Sequence, residues 1–283
     1  MYSKTSYIKP RTLDEAVALL ATGEARILSG GTDFYPALGD GVVSQAVVDV
    51  SGMRELRGVA READRFRIGG LTTWSEIIRT PLPRCFDALK GAAREVGSVQ
   101  IQNRGTVAGN LCNASPAADG VPPLLALDAE VELVSKTGVR TMTLAEFIVG
   151  NRKTQRKPDE LLTAVLVPCA FENASSTFLK LGVRRYLVIS ISMVAVVVQS
   201  GDDGRIQEAR VAVGSCSAVA RRLRALEGEL VGASVRNHLG GMVKPGHLAP
   251  LSPIDDVRAT AEYRMDASLR LVQRALNTCV ENG

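Results

Sequence analysis

Histidine is nearly missing from this chain. Only His238 and His247 occur, both in a Gly- and Pro-rich stretch late in the sequence, and they make no metal-ligand spacing. A histidine-built metal centre is thereby excluded, and a self-sufficient enzyme with a histidine base is disfavoured. Cysteine is scarce and badly spaced. Cys85, Cys112, Cys169, Cys216 and Cys279 are odd in number and form no C-x-x-C pair. That argues against a disulfide framework and against an iron–sulfur cluster held by this chain alone. They read as small buried hydrophobes, Cys112 excepted, because it falls inside a candidate ligand loop. One tryptophan among few aromatics offers no stacking platform. A net charge of only +4, with no block of like charge, makes nucleic acid a poor partner. No apolar run reaches the ~18–20 residues of a membrane span. The longest, residues 186–198, contains serines and reads as a buried strand. Met1-Tyr-Ser-Lys-Thr lacks the apolar core of a secretory signal, so a cytoplasmic location is expected.

Glycine and small polar residues are what the chain has in quantity. Gln100-Ile-Gln-Asn-Arg-Gly-Thr-Val-Ala-Gly-Asn-Leu-Cys-Asn-Ala-Ser-Pro-Ala-Ala-Asp119 strings together small residues, hydroxyls and amides and ends in a carboxylate. Gly105, Ala108 and Gly109 leave backbone N–H groups open to close approach, and Thr106, Asn110, Asn113 and Ser115 add short polar groups. Successive N–H groups in a turn make a concave anion site, which suits the phosphate or pyrophosphate of a nucleotide. A second small-residue loop, Gly30-Gly31-Thr32-Asp33, follows the short strand Arg26-Ile-Leu-Ser29. It is not a Rossmann fingerprint, because Pro36 and Gly39 come too soon for a helix. Either loop alone also reads as an ordinary turn. Together they suggest a ligand lying across a cleft between two lobes.

Ser29-Gly-Gly-Thr-Asp-Phe-Tyr-Pro, Ile68-Gly-Gly-Leu-Thr-Thr-Trp-Ser-Glu and the Gln100 to Asp119 run resemble the FAD-binding, or medium, subunit of the molybdenum hydroxylases, the xanthine dehydrogenase and carbon monoxide dehydrogenase family. So do Leu124-Leu-Ala-Leu-Asp-Ala, Phe147-Ile-Val-Gly-Asn-Arg-Lys-Thr, Pro158-Asp-Glu-Leu-Leu, Phe178-Leu-Lys-Leu-Gly-Val-Arg-Arg and Pro253-Ile-Asp-Asp-Val-Arg. The motifs fall in family order over nearly the whole chain. The resemblance implies a cofactor site in which Ile27, Leu28, Ser29, Gly30, Gly31, Thr32, Asp33 and Phe34 form the first FAD contact. Thr106, Val107, Ala108, Gly109 and Asn110 form the second, with Ala108 standing where the family usually has glycine. It implies Val96 against the adenine, Asp119 accepting hydrogen bonds from the ribose, Leu162 against the isoalloxazine and Lys180 beside the flavin. Asp119 also reads as a helix N-cap, Lys180 as an exposed strand lysine, and Leu162 as a core residue. The family's acidic residue after Arg-Arg-Tyr is replaced by Leu187-Val188, which leaves NAD, a quinone, a cytochrome or dioxygen open as acceptor.

Periodicity outlines three lobes of an α+β protein: residues 1–56, 57–172 and 173–283. The resemblance makes the first two a FAD-binding domain of the vanillyl-alcohol-oxidase/PCMH type, and the third an antiparallel sheet with helices like the CO dehydrogenase flavoprotein C-terminal domain. Thr12 and Thr143 read as N-caps, the first with Glu15 as capping-box partner, and a further helix is expected to begin at Thr72 or Thr73 and run to Arg79. Helices are expected at residues 218–230 and 257–278. Pro253 to Arg264 is expected either to cap the last helix through Asp255 and Asp256 or to present a face to partner subunits. The functional expectation is an oxidoreductase subunit without catalytic or metal-ligating residues of its own. It would pass electrons from [2Fe–2S] clusters on a small subunit through FAD to an external acceptor, with molybdopterin on a large subunit. The alternatives are a nucleotide-binding interaction module without redox role and a stand-alone flavin oxidase.

Overall fold

The computed structural model describes residues 6–281. Residues 1–5, on which the reading of the N-terminus rests, lie outside the described residues. The chain opens with β1 (Tyr7–Ile8), α1 (Leu13–Leu20), β2 (Arg26–Leu28) and β3 (Val47–Asp49), the strands forming a parallel sheet in the order β1-β3-β2. Thr12 caps α1 by accepting from the Glu15 N–H at 3.2 Å. The Glu15 carboxylate turns back to the Arg11 N–H at 2.7 Å rather than to Thr12. Ala16 and Leu20 pack this helix onto Val48, Val50 and Met53 in a small core of its own.

The second lobe runs through β4 (Val59–Arg61), β5 (Arg65–Gly69), α2 (Trp74–Arg79), α3 (Asp87–Glu95), α4 (Val99–Gln102), α5 (Val107–Asn113), α6 (Val121–Ala126), β6 (Glu130–Ser135), β7 (Gly138–Thr143), α7 (Leu144–Phe147), β8 (Ile148–Gly150), β9 (Lys153–Thr154) and β10 (Leu161–Pro168). Its antiparallel sheet has the order β4-β5-β10-β6-β7, while β8 and β9 form a separate hairpin. β10 is central and buried from Leu161 to Val167. The short helices start where the side chains dictate. Thr73 with Glu76 and Thr143 with Glu146 form reciprocal capping boxes. Pro122 and Pro123 occupy the first turn of α6, where a missing N–H does no harm.

The third unit contains β11 (Ser175–Leu181), β12 (Ser192–Ser200), β13 (Ile206–Gly214), β14 (Arg221–Arg222), α8 (Arg224–Leu230) and α9 (Ala261–Glu281). The antiparallel sheet runs in chain order, with the valine-rich β12 buried in the middle and α9 across β11 and β12. α3 and α6 of the second lobe pack on this sheet. Arg222 pins that seam, donating to the Leu125 carbonyl at 3.2 Å and to Asp128 at 2.7 Å while paired with Glu227.

Three expected elements change. The helix expected over residues 218–230 begins only at Arg224, because Arg221 and Arg222 pair with β13 as an edge strand. The helix expected from residue 257 begins at Ala261, because Asp256 accepts the N–H groups of Arg258 and Ala259 and folds the preceding segment into a turn. The apolar run 186–198 is strand only from Ser192, the part also expected as an antiparallel strand at Ser192 to Val198. Leu187 takes φ +54° and the Arg184 guanidinium holds the Tyr186 and Leu187 carbonyls, so a loop precedes it. The face expected of Pro253 to Arg264 is partly inward. Arg264 is buried, donating to the carbonyls of Ile191 at 2.6 Å and Ser215 at 3.3 Å and pairing with Asp256 at 2.7 Å.

Candidate functional site

The two small-residue loops meet. The hydroxyls of Ser29 and Thr106 hydrogen-bond at 2.9 Å, joining the first lobe to the N-cap of α5. At this contact the backbones touch, and a Cβ on Gly30 would lie 1.9 Å from the Arg104 carbonyl oxygen. No side chain fits there, which is the physical reason for a glycine. Gly31 has φ +78°, the left-handed region that glycine enters without strain. The turn before α5 is held by Trp74 N–H to Gly105 O at 3.2 Å, Val107 N–H to Thr72 O at 2.9 Å and Ala108 N–H to Gly70 O at 3.0 Å. Trp74, 1% exposed, forms the floor under this turn.

Between the loops lies a cleft of about 600 Å³, within the range of small-molecule and cofactor sites. Of the expected residues, Ile27, Ser29, Gly30, Gly31, Thr32, Asp33, Phe34, Val96, Thr106, Ala108, Gly109, Asn110 and Leu162 line it. Leu28 and Val107 are buried and do not line it. The methyl of Ala108 packs toward Gly70, where a Cβ would come within 3.2 Å of it. Asn110 lines the cleft, and its side-chain carbonyl oxygen is buried without a hydrogen-bond partner.

Asp119 and Lys180 do not line the cleft. They form a buried ion pair at 2.8 Å. Asp119 also accepts from the Ser190 hydroxyl at 2.8 Å, and Lys180 donates to the Glu95 carbonyl at 3.2 Å. Burial pushes the Asp119 carboxyl above its ordinary value, and Lys180 and Ser190 oppose that rise. Asp119 caps no helix, since the N-cap of α6 is Gly120 with no side-chain cap bond. Nor is Lys180 an exposed strand lysine. Two residues in contact cannot serve opposite halves of a dinucleotide, so the separate ribose and flavin roles that the resemblance implies for them do not both hold.

The cleft wall carries residues that motif reading passed over. Arg26 stacks over the Phe34 ring at 4.6 Å. Arg152 and Arg156 also line the cleft, and Asp33 is the single carboxylate that does. The cleft is therefore electropositive, which suits a phosphorylated ligand. Arg152 lies inside the Phe147 to Thr154 motif, so its position was visible, but its direction was not. Cys112 lines the cleft beyond the glycine loops rather than at them. Burial pushes its thiol up to about 11, so at neutral pH it is a thiol and not a thiolate nucleophile. All five cysteines are free. Among the described residues no cluster of His, Cys, Asp and Glu could hold a metal, and no helix is long and apolar enough to cross a membrane.

Known proteins resemble this chain over nearly its whole length. Residues 3–170 match the FAD binding domain in molybdopterin dehydrogenase, and residues 177–279 match the CO dehydrogenase flavoprotein C-terminal domain. The chain is 34% identical over 235 residues to the nicotinate dehydrogenase FAD-subunit of Eubacterium barkeri, covering 80% of this chain and 79% of that one. It is 30% identical over 285 residues to the xanthine dehydrogenase FAD-binding subunit of Escherichia coli O157:H7, covering 99% and 97%. The solved carbon monoxide dehydrogenase of Hydrogenophaga pseudoflava, in a form lacking the Mo-pyranopterin moiety of its cofactor, superimposes with a TM-score of 0.86 at 26% identity, covering 99% of this chain and 98% of the other. The chain belongs to the FAD-binding subunits of the molybdenum hydroxylases, and is an oxidoreductase subunit of the xanthine and CO dehydrogenase type.

Proposed function

We propose that this chain holds FAD in the cleft and serves as the electron-transfer subunit of a complex with a molybdopterin-binding large subunit and a [2Fe–2S] small subunit. The observation that carries the reading is the convergence of the two glycine loops on one electropositive cleft, pinned by the Ser29–Thr106 hydrogen bond. The residues present fit the cofactor. Gly30 to Asp33 bring backbone N–H groups to a diphosphate, while those of Val107 to Asn110 are used in holding the second loop against it, and the unpartnered Asn110 amide oxygen offers an acceptor to a ligand hydroxyl or amine. FAD supplies a centre that takes up and releases electrons, while substrate chemistry belongs to the large subunit. Leu162 and Val96 provide apolar walls. NAD, a quinone, a cytochrome or dioxygen remains as acceptor.

The test is direct. The purified chain is expected to be yellow, with one FAD per chain released into the supernatant by acid, and to co-purify with a molybdopterin protein and an iron–sulfur protein. A colourless chain that does not take up FAD favours the interaction module. A stand-alone oxidase needs a substrate base, and no histidine lines the cleft; turnover by the isolated chain with an organic substrate and dioxygen would overturn the subunit reading.

A further inference from the structure

We propose that the β11–β12 loop and the turn before α9 form one docking face, and that the iron–sulfur subunit covers it; this rests on the complex proposed above. Val183, Tyr186, Leu187 and Ile189 are exposed in the loop, and Ile254 and Val257 in the turn. Val257 is 98% exposed, so its apolar side chain does nothing for the packing of this chain. One guanidinium joins the two segments. The buried Arg264 donates to the Ile191 carbonyl at 2.6 Å and pairs with Asp256 at 2.7 Å. Ile191 lies two residues from Ile189, and Asp256 is next to Val257, so the apolar side chains of both segments share one surface. Single apolar residues on a surface need no explanation, but a patch of them marks an interaction site. Neither segment is slack. The Arg184 guanidinium holds the carbonyls of Tyr186 at 2.9 Å and Leu187 at 2.5 Å. Val188 folds back onto Gly182, where a Cβ would lie 2.2 Å from it. Asp256 accepts the N–H groups of Arg258 at 2.8 Å and Ala259 at 3.2 Å. Side chains carried on a held backbone lose little freedom on docking.

The charge of the face selects the partner. In the turn, Asp256 is offset by Arg258 and Arg264, and Asp255 is turned to the Ala261 N–H at 2.5 Å. In the loop, Arg184 spends its donors on backbone carbonyls and Arg185 lies over the Tyr186 ring at 5.4 Å. Neither of these two arginines forms an ion pair among the described residues, so the loop is left cationic. Tyrosine and arginine together are what the centres of interfaces are rich in. A [2Fe–2S] cluster held by four thiolates is net negative in both redox states, so a cationic face steers and holds the protein that carries it. The position of the face fits as well. Ser190, next to Ile189, donates to Asp119 at 2.8 Å. Lys180 of that buried pair donates to the carbonyl of Glu95, the neighbour of Val96 in the cleft wall. The face therefore adjoins the cleft, where a subunit delivering electrons to a bound flavin has to sit.

The experiment co-expresses the full chain with both partner subunits and compares wild type with Leu187→Asp, Val257→Asp and Arg185→Glu. Each substitution adds a carboxylate to the face, and all three side chains are exposed, so folding is not at stake. Each is expected to weaken association with the iron–sulfur subunit about 10- to 100-fold, seen as loss of that subunit on size-exclusion chromatography. The isolated variants should keep the melting temperature and flavin content of wild type. Wild-type association should weaken as salt is raised, and less steeply in Arg185→Glu. An iron–sulfur subunit retained at wild-type affinity by both Asp variants overturns the proposal. So does loss of the molybdopterin subunit alone, which gives the face to that subunit. A dimer of the isolated wild-type chain that Val257→Asp splits gives it to a second copy and overturns the proposal too. A wild-type chain that co-purifies with no iron–sulfur protein overturns the complex itself, and the docking face falls with it.

Discussion

The tightest point in the site is Gly30, and it yields the sharpest prediction. A methyl group there would sit 1.9 Å from the Arg104 carbonyl oxygen and 2.6 Å from its carbon. Carbon and oxygen settle at about 3.3 Å, so Gly30→Ala must part the two loops by about 1.4 Å. The obstacle is backbone and cannot swing aside. Overpacking of this kind costs about 1–3 kcal/mol, which predicts a melting temperature lower by about 5 °C in the flavin-free chain. Binding suffers more. A shift of about 1.4 Å takes N–H donors from one loop out of hydrogen-bond range of a diphosphate held by the other. Losing two charge-assisted bonds at about 1.5–3 kcal/mol each lowers FAD affinity by 100-fold or more. Gly31→Ala is the control. Its methyl would meet the ring of Tyr35 at 2.8 Å, but that ring is 58% exposed and can turn away. The φ of +78° adds only about 1–2 kcal/mol of strain. FAD per chain, from the ratio of flavin to protein absorbance, and Kd by fluorescence quenching decide the matter. Full flavin stoichiometry in Gly30→Ala at the wild-type melting temperature refutes the reasoning, and so does a Gly31→Ala variant more damaged than Gly30→Ala.

Three further outcomes follow from the geometry. Asp119→Ala strands the Lys180 ammonium at a site where both side chains are under a tenth exposed, so it should cost about 3–5 kcal/mol. Calorimetric melting should show the Asp119→Leu, Lys180→Met double variant recovering most of that loss, and additive single losses would contradict the pairing. The Arg258 N–H, aided by Arg264 and Ala259, holds the Asp256 carboxyl down at about 2 against an ordinary 3.8. A depressed carboxylate contributes stability that is present above the ordinary value and is lost as pH falls toward 2. The melting advantage of wild type over Asp256→Asn should therefore be full at pH 6 and vanish near pH 2; a pH-independent difference counts against it. Arg264→Met leaves the buried Ile191 and Ser215 carbonyls without their donor, so it should lower the melting temperature of the isolated chain by about 5 °C or more. An unchanged melting temperature, with only partner binding lost, would restore Arg264 to a subunit interface.

What was legible in the sequence was the local chemistry. Thr73 and Thr143 cap their helices because hydroxyl and carboxylate lie three residues apart, a relation within one turn. The glycine loops were legible because close backbone approach permits almost nothing else, and Gly30 against Arg104 shows how little room there is. Where side chains reach across the fold, local reading stopped. Arg222 forms an edge strand in place of helix because it joins Glu227 to Asp128 and the Leu125 carbonyl, partners up to 97 residues away. Tertiary pairing there outweighs a weak helical preference.

The same limit explains Asp119 and Lys180. Taken one at a time, a carboxylate suits a ribose and an ammonium suits a flavin. Sixty-one positions separate them, and no periodicity links α6 to β11. Once α3 and α6 pack on the third sheet, the two charges meet in a buried seam and satisfy each other. The cations left to line the cleft are Arg26, Arg152 and Arg156, and no motif marks which way their side chains turn. Charge at this site is therefore decided by which groups fail to find a partner, and that is a property of the packed chain, since every Arg and every Asp looks equally unpaired in a sequence.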